Sequence, residues 1–330
     1  MTRILVTGGS GFIGKHLVAK LAALGHEVRS LDPRRPADTQ SPRVEHVAGS
    51  VLDTGLVHEC LQDVDLVYHL AGLPGMWMPQ KDDFDAVNFR GTEIVLAAAR
   101  KRGVARFLHC STESILFPSA RKAVSGLDVP PADEMPGRYT RSKLLAEQIA
   151  MQAAACGFPV VVGTPTMPIG PHDHNLTPPT AMLRHFLNKR LRLYLDFIVN
   201  LVDVRDVAAG LVLAMERGQV GHRYILGGES IPLKKILQTV SEISGRRSLH
   251  IAVPGPIAGK AAAALEFIAD HVTRRPPSGT EEGVRIALRA TALSIEKAKT
   301  ELGYEPRPVG PALQETIAYL LQTGDQRPQV

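Results

Sequence analysis

Cysteine is scarce in this sequence of 330 residues, which contains only Cys60, Cys110 and Cys156. Their number is odd and their spacing is not that of a metal site, so neither a disulfide framework nor a zinc site is expected. We therefore expect buried thiols, a reducing cytoplasmic location and no bound metal. His172 and His174 have no third ligand placed by the sequence, and we expect a solvated loop there.

Long apolar runs and charge stripes are also missing. No run approaches the roughly 20 apolar residues of a membrane span, so we expect none. An apolar run, Ile4–Val6, starts almost at once and leaves no room for a signal peptide. The 38 basic and 33 acidic residues give a formal charge of +5, and the basic residues are scattered, which argues against nucleic acid as a partner.

The most informative motif is the glycine-rich segment Thr7–Gly14. It follows the apolar run and opens a segment with helical apolar spacing, at Ile13, Leu17, Leu21 and Leu24. Strand, glycine turn and helix form the context of a dinucleotide site. Gly8 allows the tight turn, Gly11 lets backbone N–H groups approach a pyrophosphate, and Gly14 lets helix and strand pack closely.

This segment resembles the cofactor turn of the extended short-chain dehydrogenase/reductase family, the NAD-dependent epimerases and dehydratases. Alternating strands and helices in the first half of the chain predict an α/β fold with a doubly wound parallel (Rossmann) sheet. We expect a smaller, mainly helical C-terminal substrate lobe. The predicted division is 1–163 plus about 196–228 for the cofactor domain, and about 164–195 plus 229–330 for the lobe.

The resemblance implies a nicotinamide cofactor. Asp32 follows the second strand, where a carboxylate can accept hydrogen bonds from the adenosine ribose and repel a 2′-phosphate, which favours NAD. Arg34 and Arg35 leave NADP possible. Ser50 stands where the family usually carries an adenine-binding Asp. The implied cofactor contacts are Gly8, Ser10, Gly11, Phe12, Ile13, Gly14, Asp32, Val51, Leu70, Ala71, Gly72, Ser111, Tyr139, Lys143, Thr164 and Pro165.

Three of the residues that match family motifs are catalytic candidates. Tyr139 and Lys143 are four positions apart, which puts both on one face of a helix. A tyrosine has an ordinary pKa of about 10, and a nearby Lys⁺ is expected to lower it so that the phenol can exchange a proton. Thr112, just after a predicted strand, is expected to position the substrate oxygen.

Other residues receive supporting roles. The loop with Met76 and Trp77 leaves the carboxyl edge of the sheet, so we expect these two residues, with Glu113, to contact a small-molecule substrate. His69 and Asn88 are expected to be structural.

A helix starting near Ile257 shows an apolar stripe, at Ile257, Ala261, Ala264, Leu265, Ile268 and Val272. We expect the stripe to pack against the lobe. Capping a lipophilic substrate and peripheral contact with a membrane are the alternatives.

Together, these motifs predict an enzyme that transfers a hydride between a secondary alcohol and a nicotinamide. The family branch of dihydroflavonol reductases, 3β-hydroxysteroid dehydrogenases and hopanoid-associated sugar epimerases is the most similar one. A homodimer is expected.

The alternative functions are a nucleotide-sugar 4-epimerase with retained NAD and a non-enzymatic NAD-sensing protein. An epimerase needs basic side chains for a substrate pyrophosphate, and the candidates are Arg184, Lys189, Arg190, Arg205, Arg285 and Arg289. A dehydratase is disfavoured because Ser114 occupies the position of its second acid.

Overall fold

A computed structural model describes residues 2–35, 41–116, 129–188, 191–245 and 248–323. In these ranges the strands are β1 Arg3–Thr7, β2 Glu27–Asp32, β3 Val44–Ala48, β4 Leu66–His69, β5 Arg106–Cys110, β6 Val160–Pro165, β7 Met167–Ile169, β8 Leu191–Tyr194, β9 Ile198–Asp203, β10 Arg223–Leu226, β11 Glu229–Pro232 and β12 Leu249–Ala252. The α-helices are α1 Phe12–Ala23, α2 Thr54–Cys60, α3 Gly91–Arg102, α4 Arg138–Ala155, α5 Pro178–Leu187, α6 Val204–Arg217, α7 Leu233–Ser244, α8 Gly255–Ile268, α9 Glu281–Arg289, α10 Glu296–Leu302 and α11 Val309–Thr323.

The largest sheet has seven parallel strands in the order β10-β6-β5-β4-β1-β2-β3. Side chains alternate between its two faces, as β1 illustrates. Ile4 and Val6 pack with α1 and α6, whereas Leu5 packs with α2, α3 and α4. Helices cover both faces, so the predicted doubly wound α/β fold is confirmed.

A smaller unit lies beyond β6. Strands β11, β9 and β7 form a three-stranded sheet against α5, α7 and α11, with Ile169, Leu201, Leu237 and Ile317 in its core. The segment 196–228, predicted to belong with the cofactor domain, contributes α6 and β10 to the large unit. Its first strand, β9, instead joins the small sheet, because it pairs with β7 and β11.

The helix predicted near Ile257 forms as α8 and continues as a π-helical turn, Ala269–Thr273. The expectation that its apolar stripe packs against the lobe is wrong. Ile257 and Val272 are 59% and 72% exposed, and the buried positions are Ala262 and Ala269 on the other side of the helix. On the inward side of the helix and its turn, Glu266 and Asp270 pair with Lys81. The apolar stripe therefore faces outward.

Two further expectations concern cysteines and membrane spans. Cys60 and Cys110 are buried, but Cys156 is exposed after the last turn of α4, so the expectation of three buried thiols fails at that position. Within the described ranges, no helix combines the length and apolar character needed to cross a membrane.

Candidate active site

The glycine turn joins β1 to α1 at the carboxyl edge of the large sheet. Gly8 has φ +73°, and a Cβ there would lie 2.7 Å from the backbone nitrogen of Ala71, so only glycine fits. At Gly11 a Cβ would approach one group of the described residues, the Gly8 carbonyl oxygen at 3.1 Å. The outer side of the turn is therefore open at the N-terminus of α1, where N–H groups and the helix dipole favour phosphate.

Asp32 lies beside this turn. Its carboxylate accepts hydrogen bonds from the backbone N–H groups of Ser10 at 3.1 Å and Arg34 at 2.9 Å. The guanidinium of Arg34 donates to Asn175, whereas Arg35 is exposed. A carboxylate thus stands at the predicted ribose position, and Arg34 is directed elsewhere.

Two buried hydroxyls mark the opposite end of the predicted cofactor site. Ser111 follows β5 and Thr164 lies in β6, and their exposures are 5% and 0%. Neither hydroxyl oxygen has a hydrogen-bond partner within the described part of the chain. Buried polar groups without partners are costly, so these hydroxyls suit a polar ligand such as the nicotinamide half of the cofactor. The residues present therefore fit a dinucleotide.

The remaining predicted contacts lie around the same edge. Leu70, Ala71 and Gly72 follow β4 and are partly exposed, and Pro165 ends β6. Ile13 is partly exposed in the first turn of α1. Pro165 is buried, and so are Phe12, which packs near Gly170, and Val51, which lies in the apolar cluster with Leu31.

Thr112, Tyr139 and Lys143 come together where β5 ends and α4 begins. The hydroxyls of Thr112 and Tyr139 are hydrogen-bonded to each other. The Tyr139 ring packs edge-on against Phe84 with centroids 6.0 Å apart. Lys143 Nζ donates to the Cys110 carbonyl at 2.8 Å, on the strand that precedes Thr112. A tyrosine hydroxyl, a threonine hydroxyl and a lysine thus lie at the end of one strand, as the sequence predicted.

The protonation state of Tyr139 differs from the prediction. Burial raises the pKa of Tyr139 to about 12, although the hydrogen bond with Thr112 opposes the rise. Burial also lowers the pKa of Lys143, whose ammonium is directed at Cys110 rather than at the phenol. The expected lowering of the tyrosine pKa by Lys143 is therefore not found in this structure, because desolvation of the phenolate is the larger effect.

Glu113 follows Thr112 directly. Burial raises the pKa of its carboxyl group to about 8, so at neutral pH the group is mainly protonated. Its neighbour Ser114 receives a hydrogen bond from the Thr112 hydroxyl at 3.3 Å. Glu113 lines a small cavity with apolar residues of four segments, namely Leu116, Met167, Phe197, Ile198, Val199, Ile286 and Leu293.

Asn88 connects the loop after β4 to the tyrosine helix. It is 1% exposed, its Oδ1 accepts from the Leu73 N–H at 2.7 Å, and its Nδ2 donates to the Ser142 hydroxyl at 3.0 Å. Ser142 lies between Tyr139 and Lys143 in α4. These bonds support the predicted structural role of Asn88.

Sequence reasoning missed Glu282. Helix α4 begins after Gly137, which has no side chain to cap the first N–H groups. The Glu282 carboxylate, from α9, supplies this cap by accepting from Thr140 N at 2.8 Å, Thr140 Oγ1 at 2.7 Å and Tyr139 N at 3.3 Å. The partners are more than 140 positions apart, and no local sequence pattern signals the contact.

The predicted substrate residues Met76 and Trp77 face the C-terminal region. The Trp77 indole N–H donates to Asp270 at 2.7 Å, and the side chain is 9% exposed. Met76 Sδ lies near Gly283 at the start of α9. The loop therefore holds α8 and α9 over the carboxyl edge of β4.

The histidine expectations can be compared with the structure as well. His69 is fully buried between the hydroxyls of Thr7 and Thr92, at 2.7 and 2.9 Å, and burial lowers its pKa to about 3. It is neutral at physiological pH, and its predicted structural role is confirmed. His172 and His174 are both exposed, as expected for a solvated loop, although Asp173 between them is 1% exposed and accepts from Thr177 N at 2.8 Å.

Residues 4–227 match the NAD dependent epimerase/dehydratase family, and the chain belongs to that family. Membership confirms the family resemblance, an enzyme, and NAD as the cofactor.

Individual relatives are similar to this chain over nearly their whole length. A putative dihydroflavonol 4-reductase of Synechocystis sp. is 32% identical, over 97% of this chain and 94% of its own. The 4-hydroxy-2-methyl-3-oxo-4-farnesyl-3,4-dihydroquinoline-1-oxide ketoreductase of Stigmatella aurantiaca is 31% identical, over 92% of each chain. The crystal structure of gox2253 matches with a TM-score of 0.81 and 29% identity, over 99% of this chain and 100% of that one.

Proposed function

We propose that this protein is an NAD(H)-dependent reductase that interconverts a ketone and a secondary alcohol on a lipophilic small molecule. The observation that carries the proposal is the group Thr112, Tyr139 and Lys143 beside an apolar cavity. When bound, the nicotinamide supplies or accepts the hydride. Tyr139 gives a proton to the substrate oxygen or takes it back, and Thr112 holds that oxygen in place by a hydrogen bond.

The protonation state favours reduction at neutral pH. With its pKa raised to about 12, Tyr139 is a phenol and can donate its proton to a ketone oxygen as negative charge develops there. Oxidation of an alcohol needs the opposite transfer and therefore a deprotonated Tyr139.

The cavity lining supports a lipophilic substrate. Phe197, Ile198 and Val199 of the small unit line the cavity together with Ile286 of α9. Its polar groups come from Glu113, Ser114, Asn200, Arg289 and Thr291. Apolar walls with few polar groups bind hydrocarbon portions of a ligand and fix its orientation through the polar ones. The name of the Stigmatella relative describes a 3-oxo compound with a farnesyl group, which is a substrate of this general class.

A nucleotide-sugar epimerase remains the second candidate, because the family description includes epimerases. Several candidate cations for a substrate pyrophosphate are occupied in other contacts. Arg205 pairs with Asp203 and Glu315, and Arg285 pairs with Glu281. Arg289 donates to the Glu134 carbonyl at 2.9 Å but also lines the cavity beside Glu113, so it is the cation that still supports this alternative. Lys189 and Arg190 lie outside the described residues. Dehydration stays disfavoured because Ser114 cannot act as the second acid.

An NAD-sensing role is ranked last because both Tyr139 and Lys143 are present.

The test combines cofactor retention with substrate turnover. We expect protein purified without added cofactor to oxidise NADH when given cyclic ketones that carry isoprenoid or alkyl chains, and to release the alcohol. A matched assay with UDP-glucose, followed by separation of the 4-epimers, tests the alternative. Tightly held NAD together with 4-epimer formation, and no ketone reduction, would overturn the proposal.

The cofactor preference is a separate prediction. We expect NADH to bind at least about ten-fold more tightly than NADPH, because the Asp32 carboxylate repels a 2′-phosphate and Arg34 is directed at Asn175. Asp32→Ser should reduce this ratio, whereas Asp53→Ser, on the cap of α2, should leave it unchanged. Calorimetric titration measures both cofactors, and tighter binding of NADPH to the unaltered protein would contradict the prediction.

The predicted cofactor-domain and lobe boundaries, the homodimer and the cytoplasmic location are retained as proposals. The placement of α6 and β10 in the large unit supports the boundaries, except that β9 belongs to the small sheet. The low cysteine content supports the location.

A further inference from the structure

One helix of the described structure presents apolar side chains outward. Along α8 and the turn that follows it, five large apolar residues are at least 40% exposed, namely Ile257, Leu265, Phe267, Ile268 and Val272. Leu288 of α9, which packs beside Gly255, is 57% exposed and extends the same region. We call these six residues the α8 face. Scattered exposed apolar residues are ordinary, but this concentration on one helix indicates a binding surface.

Charge is divided between the two sides of this helix. Both acids, Glu266 and Asp270, point inward and pair with Lys81 at 3.0 and 2.6 Å. Three cations, Lys260, Arg274 and Arg275, are exposed. On α8 and the turn after it, the exposed charged side chains are therefore basic and accompany bulky apolar ones, which is the composition of a helix that lies in a lipid interface. On α9, Glu281 lies on the same side as Leu288 and is paired with Arg285.

We propose that the α8 face docks on a membrane surface that carries anionic lipid headgroups. The apolar side chains would enter the boundary between headgroups and acyl chains, while Lys260, Arg274 and Arg275 would contact lipid phosphates. A second copy of this chain is a poorer occupant. A symmetric interface would place these cations against their own counterparts and repel them in either orientation of the paired helices.

The α8 face is coupled to the catalytic edge of the protein. Lys81 binds Glu266 on the inner side of α8, and Trp77 binds Asp270 in the turn that follows it. Helix α9 carries both Leu288 and the cavity residue Ile286. Docking would therefore set the cavity close to the lipid surface. The inference stands on exposure and charge, so it does not depend on which reaction the protein catalyses.

The experiment uses the full-length protein and two vesicle preparations, phosphatidylcholine alone and an equal mixture of phosphatidylcholine and phosphatidylglycerol. We expect co-sedimentation with the mixed vesicles and at least about ten-fold weaker binding to phosphatidylcholine alone. The triple variant Phe267→Ser/Ile268→Ser/Val272→Ser should bind the mixed vesicles at least about ten-fold more weakly. These side chains are already exposed, so the variant should fold, which circular dichroism checks.

Two further variants complete the design. Lys260→Gln/Arg274→Gln/Arg275→Gln should also lose binding, and more so at low salt. The control Leu24→Ser/Val220→Ser removes residues that are 53% and 46% exposed near the amino edge of the sheet, and it should bind like the unaltered protein. The proposal is overturned if the unaltered protein does not sediment with mixed vesicles, or if neither α8 variant weakens binding. Dimers that the triple serine variant dissolves, without vesicle binding, would assign the α8 face to a second copy instead.

Discussion

Replacement of Tyr139 by phenylalanine is expected to lower turnover by roughly 10²–10⁴-fold, the usual contribution of a positioned proton donor. The variant removes the phenolic hydroxyl but keeps the ring that packs against Phe84. Cofactor affinity and the melting temperature should therefore stay close to those of the unaltered protein. Steady-state kinetics with an established ketone substrate, together with calorimetric titration of NADH, measure both effects.

The pH dependence adds a second readout for Tyr139. Because its pKa is raised to about 12, Tyr139 keeps its proton across the neutral range, and its contribution to ketone reduction should be constant there. Alcohol oxidation needs the phenolate and should accelerate as pH rises. The matched control is Tyr319→Phe. Tyr319 lies on α11 and is hydrogen-bonded to His174, and its replacement should change neither rate. Near-normal turnover by Tyr139→Phe would remove this residue from the mechanism.

Replacement of Glu282 by alanine is expected to reduce stability and turnover together. The substitution leaves the first N–H groups of α4 without their acceptor, and hydrogen bonds to a charged group typically contribute about 1.5–3 kcal/mol each. We expect the free energy of unfolding to fall by about 2 kcal/mol, with solvent replacing part of the loss. We also expect kcat to fall at least about ten-fold, because a small displacement of Tyr139 misplaces the proton donor.

The comparison variants separate positioning from general stability. Glu282→Gln keeps an oxygen that can accept from Thr140 N, so it should restore most of kcat. Glu281→Ala removes the adjacent carboxylate, which pairs with Arg285 near the surface, and should have little effect on either quantity. Denaturant unfolding and steady-state kinetics give the two measurements. A Glu282→Ala protein with a lowered unfolding free energy but normal kcat would show that Tyr139 does not depend on this contact.

The sequence alone identified the parts of this protein that local pattern encodes. A glycine turn needs particular residues at fixed spacing between a strand and a helix, and Thr7–Gly14 has them. Asp32 at the end of β2 and the pair Tyr139 and Lys143 on α4 follow from the same short-range rules. The family and the doubly wound sheet were therefore predictable before any coordinates.

Features that depend on residues far apart in the sequence were determined only by the tertiary structure. The helical period near Ile257 predicts a stripe, but the stripe faces outward because Lys81 binds acids on the opposite side of α8. The pKa of Tyr139 rises rather than falls because the residue is buried, which no spacing rule reports, and because Lys143 is directed at the Cys110 carbonyl.

Glu282 belongs to the tyrosine site only because α9 returns to cap α4. Periodicity and motif spacing describe how residues of one segment lie relative to each other. Which segment lies opposite, and how much water it excludes, is set by packing between parts of the chain far apart in sequence.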